Sequence, residues 1–228
     1  MNTTPSTTGS QSAAESLTLR QHAIVPIAAF AAAGDIARLG AALNRGLDAG
    51  LSISDAREIL VQLYAYAGFP RSLNALGELM KVVEVRKQQG LRDAPGSEPG
   101  APIPQGDALL AAGTANQTRL SGAPVKGPLF DFAPAIDQYL KAHLFGDIFE
   151  RDNLDWQSRE LATVGMLSSL AGAEPQLQAH MRISMNVGLT AAQLREVVQV
   201  LREHVGPENG RRAHEALERQ LAADRGGR

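Results

Sequence analysis

AGLSISDAREILVQLYAYAGF, beginning at Ala49, returns as VGLTAAQLREVVQVLREHVGP, beginning at Val187, 138 residues later and with no insertion or deletion. The register holds from His22, opposite Glu160, to Leu79, opposite Leu217. Identical pairs include Gly34/Gly172, Leu39/Leu177, Gly50/Gly188, Arg57/Arg195, Glu58/Glu196, Leu63/Leu201, Gly68/Gly206 and Ala75/Ala213. A unit this long, used twice, predicts a pseudo-twofold domain; a solenoid needs three or more stacked repeats to bury its core. Positions where the copies differ are therefore the ones to search for chemistry.

Within each copy the apolar residues recur at three and four, the period of a half-buried helix. Thr18 is placed to cap a first helix reaching Ala33, with Pro26 expected to kink it or to mark its first turn. Asp35 caps a second helix, Ile36 to Ala49, before Gly50. Ser54, with Arg57 in the position of a weak capping box, opens a third that Gly68-Phe69-Pro70 ends, and Ser72 to Gln89 forms a fourth. The second copy predicts Gln157–Ala171, Pro175–Val187, Thr190–Val205 and Asn209–Ala223, with Thr190 and Gln193 as a capping box. No alternating strand pattern is present, so the fold class is all-α.

The ends and the middle differ in composition from the copies. Residues 1–16 are small and polar and read as a disordered tail, residues 90–128 are rich in proline and glycine and read as a linker with a short helix near Ala108–Thr118, and residues 224–228 read as a second tail. The units are then 17–89 and 129–223, the latter including FDFAPAIDQYLKAHLFGDIF, Phe130 to Phe149, with a helix over Pro134–Phe145. With 22 Lys plus Arg against 24 Asp plus Glu, the chain has no field that favours nucleic acid or an acidic membrane. It has no cysteine, which excludes disulfides, Cys-based metal sites and thiol mechanisms. No apolar run approaches the roughly 20 residues of a membrane span, and the expectation is a soluble, cytoplasmic protein.

Glu160 and His180 are the first candidates for chemistry. Each is bracketed by apolar residues on its helix, Leu161 and Val164 for the first, Leu177, Met181 and Ile183 for the second. A carboxylate and an imidazole facing one partly buried place suit proton transfer near neutral pH. The plainer alternative has Glu160 bridged to Arg159 or Arg182 and His180 packed in the core. His22 and Ala42 stand opposite the pair, so the first copy cannot reproduce it, and His22 reads as an exposed residue at a helix start. Tyr64, Tyr66, Phe69, Arg71 and Asn74 cluster in YAYAGFPRSLNAL, where hydroxyls and a guanidinium suit a carboxylate substrate, or packing and a helix-capping arginine. In the second copy Arg202, Glu203, His204, Glu208 and Arg211 form a charged, solvated face. His143, Asp147, Asp152 and Asp155 lack regular metal-ligand spacing, and Ser168 and Ser169 lack the setting of a nucleophile.

The segment RELATVGMLSSLAGAEPQLQAHMRISMNVGLTAAQLREVV, Arg159 to Val198, resembles the carboxymuconolactone decarboxylase family of the AhpD-like superfamily. The shared pattern is an Arg-Glu pair opening an apolar helix, a Leu-x-x-His helix, then Asn-x-Gly-Leu-Thr before an Arg-Glu-Val helix. ALNRGLDAGLSISDAREILVQLYAYAGFPRSLNAL is similar to the same unit. The resemblance implies an all-α, AhpD-like fold with two tandem units, no cofactor and no metal, and a homo-oligomer, a trimer forming a pseudo-hexameric ring. It carries Glu160 and His180 over as acid/base groups, and it leaves Tyr64, Tyr66, Arg71, Arg182 and Asn186 as substrate-binding candidates. Relatives either decarboxylate a lactone acid or reduce peroxides through a Cys-x-x-Cys pair, and the second route is closed to a chain without cysteine. The expected function is a cofactor-independent lyase or isomerase acting on a small carboxylated or lactone substrate. Alternatives are a non-catalytic binding or assembly protein and a thiol-independent antioxidant.

Overall fold

The computed structural model describes residues 16–226, so all but Ser16 of the tail expected at 1–16 lies outside the described residues. Thr18 accepts from the Gln21 amide and Gln21 answers with its side chain, a capping box that opens α1 (Leu19–Ala33). Every residue from Ile24 to Ala32 is buried, so beyond its polar first turn α1 is apolar on all sides and runs through the middle of the core. Pro26 does not begin it. Its ring is buried inside a continuous helix, and the proline only withholds an N–H from the His22 carbonyl one turn earlier.

Asp35 caps α2 (Ile36–Asp48), and α3 (Ile53–Gln62) follows. The cap of α3 is Ser52, answered by Asp55, and not Ser54. The offset itself pairs Ser52 with Thr190 and Asp55 with Gln193, which form the same reciprocal cap on the helix that begins at Ala191. A short α4 (Tyr64–Ala67) leads through Gly68 into α5, which starts at Phe69, before Pro70, and continues to Gln88. Pro70 stands in the first turn, where its missing N–H costs nothing.

The connection is ordered along much of its length. Ile53 and Ser54 donate backbone bonds to Ala94 and Pro95, the Asn153 side chain donates to Ser97, and Asp152 accepts from the Gly100 amide. It then forms α6 (Asp107–Ser121), longer at both ends than the expected helix. Two short helices, α7 (Pro128–Phe132) and α8 (Pro134–Tyr139), precede a π-helical stretch over Leu140–Ile148 that takes the place of a plain α-helix ending at Phe145. Against this stretch α6 packs closely, and Leu120, Leu144, Phe145, Ile148, Phe149 and Ile183 form a second, smaller core.

The second copy comprises α9 (Trp156–Ser168), α10 (Glu174–Asn186), α11 (Ala191–Val200), a π-helical turn (Leu201–Val205) and α12 (Pro207–Gly226). Three helices coincide in both bounds at the 138-residue offset: α2 with α10, α3 with α11, and α5 with α12. α12 continues through residues 224–226, which had read as tail.

α1 and α9 form the most extensive helix pair in the molecule. A Cβ on Gly165 would stand 2.7 Å from the Val25 carbonyl oxygen, so the glycine is what lets these two backbones meet. Around this seam the units exchange partners: α9 packs on α3 and α4 of the first, and α1 packs on α11 and the π-helical turn of the second. Among the described residues there is no strand, and no helix is long and apolar enough to cross a membrane.

Candidate acid–base site

Glu160 lies one turn inside α9, whose start is fixed by Asp155 accepting from the Ser158 amide and hydroxyl. With α1 on one side and α10 on the other, the Glu160 side chain has no exposure to solvent. His180 projects from α10 between Leu177 and Met181, and 8% of the residue is exposed. Its Nδ1 stands 2.7 Å from Glu160 Oε2. The other carboxylate oxygen, Oε1, is buried and has no hydrogen-bond partner. An unpaired carboxylate oxygen in an apolar setting is costly unless it is protonated or meets a donor.

The first unit supplies the rest of this wall. Tyr66 of α4 meets the His180 ring edge-on, with centroids 5.9 Å apart. Its hydroxyl stands 3.4 Å from that of Thr163, which accepts from Gln62 Nε2 at 2.7 Å. Burial pushes the Tyr66 hydroxyl well above its ordinary range, and the Glu160 charge pushes it further, against smaller opposing effects of Thr163 and Arg159. Tyr66 is therefore a neutral hydroxyl at physiological pH. Gln62 also donates to the Arg159 carbonyl and accepts from Arg159 Nη1 at 3.3 Å, joining α3 to α9 through a side chain that is itself fully buried.

Arg159 does not bridge Glu160. It turns to Glu58 of α3, at 3.4 Å, and donates to the Arg151 carbonyl at 2.8 Å. Arg151 closes the group with two hydrogen bonds to Glu58, at 2.8 and 2.6 Å. Burial alone would raise the Glu58 pKa, but hydrogen bonds from Arg151 and Asn153, with the charges of Arg151 and Arg159, hold it below the usual carboxylate range. Burial lowers the Arg159 pKa, but a guanidinium titrates too high for this to remove its charge. The result is a buried Arg–Glu–Arg group that spans the two units.

The other residues expected at a substrate site are dispersed. Tyr64 stacks on Phe69 at 4.5 Å and leans on His143. Arg71 donates to the Ala32 carbonyl at the end of α1, the helix-capping role. Arg182 points to solvent. Asn186 donates to the Leu120 carbonyl at 2.8 Å and lines a cavity of about 650 Å³ whose walls include Arg119, stacked over Trp156. Of the five, only Tyr66 stands beside the pair. Neither Glu160 nor His180 lines any of the principal cavities.

Several residues of the site escaped the sequence reading. Gln62 and Glu58 are polar positions on the buried face of α3, and that misplacement was the available signal. Thr163 carried none, since a threonine in an apolar helix is ordinary. His22 is not simply exposed: its Nε2 stands 3.2 Å from Glu196 Oε2, with about a third of each side chain accessible. His143 and Asp147 pair at 2.5 Å, while Asp152 and Asp155 accept backbone bonds. Among the described residues no three His, Asp or Glu side chains converge as metal ligands would.

Residues 134–219, from α8 through most of α12, match the model of the carboxymuconolactone decarboxylase family. No curated protein matches the chain.

Proposed function

From a chain that belongs, through its second unit, to the carboxymuconolactone decarboxylase family, we propose a cofactor-independent lyase or isomerase that acts on a small carboxylated or lactone substrate. The observation that carries this reading is the 2.7 Å contact of His180 Nδ1 with a fully buried Glu160. A carboxylate facing Nδ1 holds a proton on that nitrogen and leaves Nε2 to accept one from substrate or return it. Tyr66, kept neutral, supplies a hydrogen bond to an oxygen on which charge develops. In a decarboxylation the C–C bond breaks, its electron pair passes into an enolate, CO₂ leaves, and His180 delivers to carbon a proton that its Nε2 has taken from solvent, so that one proton is consumed per turnover.

Release of CO₂ from carboxymuconolactone is the test. His180→Gln keeps the shape of the side chain and a hydrogen bond to Glu160 but cannot carry a proton, so turnover should fall by about 10²-fold or more, the usual scale of acid–base assistance. Undiminished turnover in the folded variant rejects the role.

A second reading, a non-catalytic assembly protein, draws on different observations. Leu73 and Met80 on α5 and Phe132, Ile136 and Tyr139 on α7 and α8 are large apolar side chains more than half exposed. Such faces support the trimer implied by the family resemblance, whether or not the chain is catalytic. Mass measurement in solution checks self-association. An oligomer without turnover on any lactone acid favours this second reading.

A further inference from the structure

We propose that the chain carries a second ligand site, for a small amphipathic carboxylate, at the place that corresponds by the 138-residue offset to the Glu160–His180 site. This goes beyond the proposed activity and does not depend on it.

At the second-unit site, polar side chains fill the space. His180, Thr163, Gln62 and Tyr66 correspond to Ala42, Val25, Val200 and His204, so three of the four become small and apolar. The residues of the second-unit network line none of the principal cavities, whereas the corresponding place, between α1 and the α11 end of the other unit, has two adjoining ones, of about 320 and 210 Å³, reached by Val200 and His204 but not by the buried Val25 and Ala42. They share His22, Val200 and His204 on their walls. The larger lies at the lower end of the range for ligand sites, the size for a single small ring.

The chemistry of the lining selects the ligand. Leu19, Ala23, Pro26 and Val200 offer apolar surface to a hydrocarbon body. Arg45 and Arg195 stand at the two rims, and neither makes an ion pair among the described residues. The acidic groups are already engaged: Glu196 Oε2 takes the Leu17 amide at 3.0 Å and His22 Nε2 at 3.2 Å, and Glu203 takes the Gln199 amide at 2.6 Å. Hydrogen bonds from neutral donors leave Glu196 and Glu203 charged, but Arg45 and Arg195 have no carboxylate partner of their own, so an added anion would meet these two guanidiniums, and the apolar wall restricts it to one with a hydrocarbon body. By contrast, the 710 Å³ groove along α5 is almost wholly apolar and gives a ligand little to orient it.

The experiment is a titration of the full-length, isotopically labelled chain with benzoate, following the Cε1–H resonances of all five histidines. Benzyl alcohol and acetate serve as probes with the ring or the charge alone. Saturable shifts of His22 and His204, with benzoate at least about tenfold tighter than either control, are expected, since one charge-assisted hydrogen bond is worth about that factor. The double variant Arg45→Ala/Arg195→Ala should lose about tenfold or more in affinity. His180→Gln should leave benzoate binding unchanged even where it abolishes turnover, which separates this site from the proposed activity. The proposal is overturned by the absence of saturable shifts at His22 and His204, by equal binding of acetate and benzoate, or by wild-type affinity in the double arginine variant.

Discussion

Glu58 and Glu196 are the same residue at the same position of two like units, yet they do different work. Glu58 is wholly buried and holds Arg151 and Arg159 of the other unit. Glu196 also reaches into the other unit, but it meets His22 and the Leu17 amide, with about a third of its side chain accessible. What differs is the helix each one faces. α9 brings Arg159 to α3, while α1 has Gln21 at the position of that arginine and brings His22 to Glu196 of α11. An identity across the copies therefore fixes a position in the fold without fixing a role. Helices α5 and α12 teach the same point at the surface. Leu73 and Met80 of α5 correspond to Arg211 and Glu218, and α12 carries a ladder of ion pairs from Glu208 through Arg211 to Glu215. There the Glu208 carboxyl is pushed down to about 2, chiefly by its hydrogen bond from Arg211.

The comparison of the two glutamates breaks most visibly in stability. Glu58→Ala leaves two arginines facing a buried vacancy and should cost about 3–5 kcal/mol, whereas Glu196→Ala should cost under about 1 kcal/mol. Urea denaturation of both variants measures the gap, and equal losses would mean that burial does not separate the two positions. A smaller asymmetry is expected for the histidines. His180→Ala removes the partner of a buried carboxylate and should cost about 1–3 kcal/mol, against less than about 1 kcal/mol for the half-exposed His22→Ala.

Acid should narrow the difference between wild type and Glu58→Gln. The folded-state pKa of Glu58 lies below its unfolded value, so its contribution is complete above the unfolded pKa and is lost as pH falls through the folded one. Denaturation midpoints of the two proteins should therefore converge below about pH 4, and a constant separation down to pH 2 contradicts the assigned direction. Smallest of all is the surface pair. Giving α5 the residues of α12, Leu73→Arg with Met80→Glu, should change monomer stability by no more than about 0.5 kcal/mol per substitution while increasing the monomer fraction in light scattering.

Much of the fold was legible because helix ends are written in local chemistry. The caps at Thr18, Asp35 and Thr190 read directly, and the repeat carried that information from one copy to the other. Ser54 with Arg57 resembles a weak cap, but the offset pairs Ser52, not Ser54, with Thr190, and Ser52 is the cap. Gly68 and Gly206 were read as equivalent, but Gly68 needs a positive φ of 82° while Gly206, at 166°, is extended backbone open to any residue. Local sequence does not distinguish those cases. The π-helical stretch at 140–148 was illegible for a similar reason, since its shape depends on the close packing of α6.

The site was legible chiefly where chemistry and burial coincide within one unit, with Tyr66 of the other unit the exception. Glu160 and His180 stood out as polar residues among apolar neighbours, and the structure brings them together. Gln62 and Glu58 did not, because their partners lie about a hundred residues away, on a helix that reaches them only by exchange between the units. Arg71 had two chemically reasonable roles, and proximity to the Ala32 carbonyl at the end of α1, a tertiary fact, decided for the cap.

The near-touching backbones at Gly165 and Val25 have a consequence for how such a molecule changes over time. At the position of Gly165 the first unit carries Ile27, so the two sides of the seam are unlike where they are closest. Two separate, identical chains meeting along the same helix would have to place the same residue on both sides, and any improvement on one side would be imposed on the other. Carrying both sides in one polypeptide removes that constraint. Each half then becomes free to accumulate substitutions its counterpart does not share, and a later separation into independent subunits would strand a glycine on one surface and an isoleucine on the other.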